Sequence, residues 1–257
     1  MAGKIARGLR PRPAGRAVGA PPLLRGALRR ARRFAAARGC PAGEALARTA
    51  AAAAFGPGAA AYAFLTGHEV WRADCRTMAR LVPGGRVLDL GVGPGTSALE
   101  MARAAPELRL VGVDRAPAML RAAAREARAA RVPLPLVRGD ALALPFAAGT
   151  FDGVTGHSLL YLLPDARAAL REIRRVLRPG GGVVFLEPRA GAASLRAALG
   201  AGPRCAASML LWRGMARLHR RFDERSLPAL LEEAGLRAAR AWPALFGFGV
   251  MGVATSP

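Results

Sequence analysis

Three aspartates and three glycines carry the chemistry legible in this chain. Arg86-Val87-Leu88-Asp89-Leu90 is a short apolar run that opens directly onto Gly91, Gly93 and Gly95. Asp114 closes the next apolar run, RLVGVD, and Asp140 closes the one after it, PLPLVRGD. Acids at three successive strand ends can line one edge of a sheet and read one extended polar ligand. The glycines supply backbone that turns with positive φ and approaches a ligand where a Cβ would clash.

A glycine-rich turn after a strand serves many nucleotide binders and is weak alone. The dinucleotide fingerprint G-x-G-x-x-G fails from Gly91, because its third glycine falls on Thr96. From Gly93 it passes as GPGTSA, with alanine at the last position. Asp89 counts against that frame, since a carboxylate just before the loop repels a pyrophosphate. A sulfonium cofactor carrying an α-ammonium group meets no such repulsion. Asp114, 23 residues after Gly91, suits a ribose in either case and does not discriminate.

The elements around these residues alternate strand and helix, the pattern of a parallel sheet wrapped on both faces. Val70, Trp71, Cys75, Met78 and Leu81 predict one face of a helix that Pro83-Gly84-Gly85 stops. Thr96 to Ala104 predicts a helix whose N-terminus meets the loop, and Pro117 opens the next. Asp165 can cap a helix with a stripe of Leu170, Ile173, Val176 and Leu177, after which GVVFLEP is the fifth strand. Phe222-Asp223 to Gly235 predicts another helix, in which Pro228 is awkward unless it lies within the first turn or the helix starts later than Asp223. Leu236 to Trp242 and Phe248 to Ala254 predict an antiparallel closing pair. Asp152, at the start of the fourth strand, is expected to be structural. Glu187, ending the fifth, has no assigned role.

VLDLGVGPG, VGVDRAPAML, GDALALPFAAGTFDGV and LREIRRVLRPGGGVVFLEP, in that order, resemble the class I S-adenosylmethionine (SAM) dependent methyltransferases. The branch is the small-molecule one that holds the quinone-biosynthesis C-methyltransferases, and the resemblance runs from about Tyr62 to the C-terminus. It implies a Rossmann-like α/β fold: a seven-stranded, mostly parallel sheet with helices on both faces, an antiparallel last strand and a helical N-terminal extension. It implies SAM as cofactor, with Gly91, Gly93 and Gly95 forming the loop and Asp89 near the ammonium group. Asp114 would take the ribose hydroxyls, Asp140 the adenine amine, and Ala141 and Met119 the ring. Val92 departs from the small residue or cysteine common at its place.

Methyl transfer from a sulfonium depends mainly on alignment and exclusion of water. His157, after the fourth strand, is the candidate catalytic residue, because an imidazole can take a proton from the acceptor. The alternative is that it packs or contacts SAM. Tyr62 and Tyr161 are lesser candidates; His68 and His219 carry no motif. Residues 189–222 stand where this family builds a substrate cap. Met209, Leu210, Leu211, Trp212, Met215 and Leu218 alternate there with Arg213, Arg217, Arg220 and Arg221, so the segment could cover a lipophilic acceptor, rest on an anionic membrane or simply pack. The pocket expected from this brings Trp212 and His157 together.

Composition bounds the rest. The 257 residues suit one α/β domain with extensions. The net charge of +22 points on its face to an anionic partner, but Lys4 is the sole lysine and Asn and Gln are absent. That is the usage of a GC-rich genome. Residues 1–40 hold eleven basic residues and no acid, half of the surplus. Residues 1–43 are expected to be a disordered low-complexity tail, with a mitochondrial presequence or an over-extended start as other accounts. Residues 44–257 are the domain, 44–82 its helical lid. The uncharged stretch 49–67 is broken by Gly56-Pro57-Gly58 and favours packed helical pieces over a membrane span. Cys40, Cys75 and Cys205 lack any C-x-x-C pair, which favours a reducing cytoplasm without a metal site. The conclusion from sequence is a cytoplasmic methyltransferase acting on a small apolar or aromatic acceptor, with no obligate protein partner. An RNA methyltransferase has only the basic surface in its favour, and a SAM-binding interaction protein without catalysis stays open.

Overall fold

In a computed structural model, the described residues are Phe64 and 67–257. The expected tail 1–43, Cys40, Tyr62 and most of the N-terminal half of the lid lie outside them. Seven strands form one sheet in the order β3-β2-β1-β4-β5-β7-β6. They are β1 (Arg86–Leu90), β2 (Arg109–Asp114), β3 (Leu136–Arg138), β4 (Phe151–His157), β5 (Leu177–Pro188), β6 (Arg237–Ala244) and β7 (Gly249–Thr255). β1 pairs in parallel with β2 on one side and β4 on the other, so the winding reverses between β1 and β4. A ligand cleft opens at such a point, outside the carboxyl ends of the strands. β7 runs antiparallel to both β5 and β6.

Seven helices flank the sheet among the described residues: α1 (Glu69–Leu81), α2 (Thr96–Ala104), α3 (Pro117–Ala130), α4 (Ala166–Val176), α5 (Leu195–Gly200), α6 (Pro203–Arg217) and α7 (Ser226–Glu233). The His68 side chain caps α1 by accepting from the Trp71 N–H, and Trp71, Cys75 and Met78 are buried at helical spacing. Val82, not Leu81, continues that stripe: Val82 is buried and Leu81 exposed, because position 81 is rotated about 100° away. Glu100 of α2, itself buried, pairs with Arg72 and Arg76 of α1 and with Arg103, which fixes α1 against the sheet layer.

Two boundaries differ from the sequence expectation. Leu177 begins β5 opposite Phe151 instead of closing α4, so the strand includes Pro179-Gly180-Gly181-Gly182, with a register shift between Phe151 and Gly153. The last helix starts at Ser226, after Asp223 Oδ1 has accepted the Arg225 and Ser226 N–H groups. Pro228 then sits in the first turn, where its missing N–H costs nothing.

Candidate active site

The loop after β1 is laid over the end of β2. Gly91 and Val92 both donate their N–H groups to the Val113 carbonyl, at 2.8 and 2.9 Å. All three glycines have positive φ (72°, 54° and 92°), but they serve different ends. A Cβ on Gly91 would stand 2.8 Å from Leu159 Cδ1, and one on Gly95 3.2 Å from Ala123 of α3. A Cβ on Gly93 would meet nothing closer than 3.8 Å, so this glycine faces open space. Gly95 thus holds helix packing. Val92 is buried over Gly112, whose added Cβ would lie 2.9 Å from Val92 Cγ2. The departure at Val92 therefore fills the sheet side of the loop.

Asp89 is buried on β1. Its Oδ1 accepts from the Thr155 hydroxyl at 2.8 Å, and its Oδ2 is enclosed with no partner. Burial pushes its pKa up to about 7; the Thr155 hydrogen bond pulls it down and the Asp114 charge pushes it up. Asp114 Oδ2 accepts the Gly93 N–H at 3.0 Å and Oδ1 the Ala116 N–H at 2.8 Å. Burial raises Asp114 as well, opposed by the backbone donors of Ala116, Gly93 and Arg115. Asp140 follows β3, whose Arg138 pairs with Asp114. It is exposed, with Oδ1 on the Leu142 N–H at 3.0 Å, while Ala141 and Met119 are buried. Asp89, Gly91, Gly93 and Asp114 thus share one contiguous edge, and Asp140 and Ala141 extend it.

His157 ends β4 with Nδ1 2.9 Å from Ser158 Oγ. The residue is half-buried, but its Nε2 is enclosed and unpartnered, as is Trp212 Nε1. Trp71 stacks on the imidazole at 4.5 Å, and Trp212 lies 6.4 Å from it and 5.1 Å from Trp71. Burial lowers His157 to about 3, so in this closed arrangement it is neutral. Trp71 brings α1 into the site, a role that the sequence did not assign. Its helical spacing marked it as core, and nothing in the pattern marks the ring it stacks upon.

Glu187, buried at the end of β5, receives three N–H groups: Leu159 at 3.0 Å and Leu160 at 2.8 Å on Oε1, and Tyr161 at 3.2 Å on Oε2. Burial pushes it up to about 8 against those donors. It pins the turn after β4, where Ser158 has φ +60°. An acid closing an apolar run was the available signal, the same one that marked Asp114. In the cap, Met209 and Trp212 are buried on one side of α6, whereas Leu210 and Leu211 are half exposed on the other. The apolar residues 209–218 do not form one face over the site.

Residues 87–181 match a family model described as a methyltransferase domain. That match spans β1 to β5, including the glycine loop and the acids at 89, 114 and 140. A methyltransferase domain thus occupies residues 87–181. Over 117 residues it is 42% identical to a demethylmenaquinone methyltransferase of Thermus thermophilus, covering 46% of this chain and 53% of that one. A demethylmenaquinone methyltransferase of Corynebacterium urealyticum is 40% identical over 119 residues, covering 46% and 48%. The chain spans about half the length of the curated relatives it matches. Among solved structures, a SAM-dependent methyltransferase of Aquifex aeolicus superposes with a TM-score of 0.58 at 16% identity, covering 76% and 93%. A phosphoethanolamine N-methyltransferase of Haemonchus contortus in complex with SAM does so at 0.59 and 18%, covering 78% and 57%. These likenesses establish the fold, a Rossmann-like, mostly parallel seven-stranded sheet.

Proposed function

We propose that the chain binds SAM at the edge formed by Asp89, Gly91, Gly93 and Asp114 and transfers its methyl group to a small apolar or aromatic acceptor. The unpartnered, buried Asp89 Oδ2 carries this reading. A buried carboxylate oxygen without a donor is costly, and an ammonium group relieves that cost. Gly93 leaves room for the amino-acid portion, Asp114 offers its remaining lone pairs to ribose hydroxyls, and Asp140 and Ala141 extend toward the base. Met119, buried in the first turn of α3, backs the same edge. SAM supplies a methyl group already activated by its sulfonium.

The protein's own part is to position the acceptor and keep water out. α1 serves as the lid, and α5 with α6 as the cap, so Trp71 stacks on His157 and Trp212 packs edge-on against Trp71. While stacked, the His157 imidazole takes no proton at neutral pH. Once Trp71 moves off it, an acceptor hydroxyl can reach Nε2, and regained solvation restores its basicity. The relatives' names point to a quinone-type ring, which agrees with this aromatic wall. Calorimetry with S-adenosylhomocysteine and with NADPH tests the cofactor: the first should bind and the second not. Incubation of cell extracts with enzyme and methyl-labelled SAM then tests transfer. Label in RNA would favour the RNA methyltransferase, and tight binding without any labelled product the non-catalytic binder.

A further inference from the structure

A surface helix ordinarily has one apolar side, turned to the core, yet α6 has two, separated by Arg204, Arg213 and Arg217. One side of it, Cys205, Met209, Trp212 and Ala216, is buried. The opposite side, at helical spacing, is Ala207, Leu210, Leu211 and Gly214, continued by Leu218, and every one of these is exposed. Leu210, Leu211 and Leu218 keep 50%, 50% and 46% of their surface in solvent. α5, packed against α6, adds Leu199 at 56%. Phe64 lies under the Arg204 guanidinium at 4.1 Å from its ring centroid, at the border of the same side of α6.

The charge that this segment carries has one sign. Between Glu187 and Asp223 the sequence holds seven arginines and no acid. Three of them have partners: Arg189 pairs with Glu224, Arg204 donates to the Phe64 carbonyl, and Arg213 donates to the Gly191 carbonyl. Arg196, Arg217, Arg220 and Arg221 are exposed and have no ion pair among the described residues. An apolar strip rimmed by unpaired guanidinium groups fits an anionic bilayer, with leucines among the acyl chains and arginines at the phosphates. A second copy of this face would oppose arginine to arginine, and the basic segment 1–40 of the chain itself is repelled in the same way.

We infer that the outer side of α6, with Leu199 of α5, docks on an anionic lipid surface. The Trp212 side of the same helix faces His157, so the docked side is one helix diameter, about 10 Å, from the aromatic cluster. The docking does not depend on the methyl-transfer reading and is tested without it.

The experiment is flotation of the full chain with vesicles of phosphatidylcholine alone and of an equimolar mixture with phosphatidylglycerol. The chain should float with the mixed vesicles, weakly or not at all with the neutral ones, and less as salt is raised. Leu210→Glu with Leu211→Glu should cut the bound fraction at least about tenfold, and each of Arg217→Ala, Arg220→Ala and Arg221→Ala about fivefold. Unchanged circular dichroism and thermal melting of these variants would show that the chain has kept its fold, so a loss of flotation then reads the surface alone. The inference is overturned if the unaltered chain ignores anionic vesicles or floats equally with both kinds. It is also overturned if the leucine pair leaves flotation intact, or if sedimentation shows a dimer that the leucine pair abolishes. Retention by RNA that needs the arginines but not the leucines, with no flotation, would assign the face to nucleic acid instead.

Discussion

Asp89 should make cofactor binding depend on pH within the neutral range. Its pKa without ligand is about 7, chiefly from burial. An ammonium group at the free Oδ2 needs the ionised form, so binding releases a proton wherever Asp89 is protonated beforehand. For a pKa near 7, almost all Asp89 is ionised at pH 8 and about 1% at pH 5. S-adenosylhomocysteine affinity should therefore fall over that interval toward the level of a protein without charge at position 89, a loss of about four- to twentyfold. Asp89→Asn keeps the shape and removes the charge, which should weaken binding at pH 8 by about 1–2 kcal/mol, five- to thirtyfold. Asp114 is also raised by burial and adds its own loss at low pH. That loss is common to both proteins, so the difference between their curves isolates Asp89. Isothermal titration calorimetry in buffers of different ionisation enthalpy reads affinity and proton release together. Parallel curves for the two proteins, or no proton release by the unaltered one at pH 6, would refute the assignment of Asp89 to the ammonium group.

Asp114→Ala should weaken S-adenosylhomocysteine by about 1.5–3 kcal/mol in the same assay, since it removes an acceptor and frees the Gly93 N–H that it holds. Glu187→Gln puts an amide N–H among the three donors that now converge on the carboxylate, and thermal melting should show a loss of about 1–3 kcal/mol. Trp71→Ala should return the His157 pKa from about 3 toward its ordinary value of 6.5, read from imidazole C–H shifts by NMR. Because that pKa is depressed, the neutral ring favours the folded state above pH 6.5, and this contribution is lost as the pH falls toward 3. Trp71→Ala should flatten that dependence; an imidazole that already titrates near 6.5 in the unaltered protein would contradict the stacked arrangement.

The core of the sheet was legible because its signals are local. β1, β2 and β7 are short apolar runs with glycine or proline within three residues of each end, and α2 and α3 begin where Thr96 and Pro117 stand. β5 was read short, because Pro179 and the glycines after it look like a terminator. Only pairing with Phe151 shows Leu177 to be in the sheet, and sequence carries no record of pairing. The lone apolar stripe of α4 told inside from outside, whereas α6 has Met209 and Trp212 on one side and Leu210 and Leu211 on the other. Periodicity cannot choose a buried face when both are apolar. The expected meeting of Trp212 and His157 is there, at 6.4 Å, whereas nothing in the pattern of α1 marks Trp71 as the ring that stacks on His157.

The acids show how burial separates structure from function where sequence does not. Asp89 and Glu187 both sit near the carboxyl end of an inner strand, on either side of β4, and burial raises both, to about 7 and about 8. Their surroundings resolve that cost in opposite ways. Glu187 collects three backbone donors from one turn, so its charge is satisfied by the chain and a ligand would gain nothing from it. Asp89 has one hydroxyl on one oxygen and nothing on the other. The turn after β4 closes on Glu187, whereas no donor of the chain reaches Asp89 Oδ2. An unsatisfied, buried carboxylate oxygen has a cost with no return in the folded chain alone. The return comes when a cation fills the gap, which is why the assignment rests on Asp89 more than on the aspartates that already hold backbone donors.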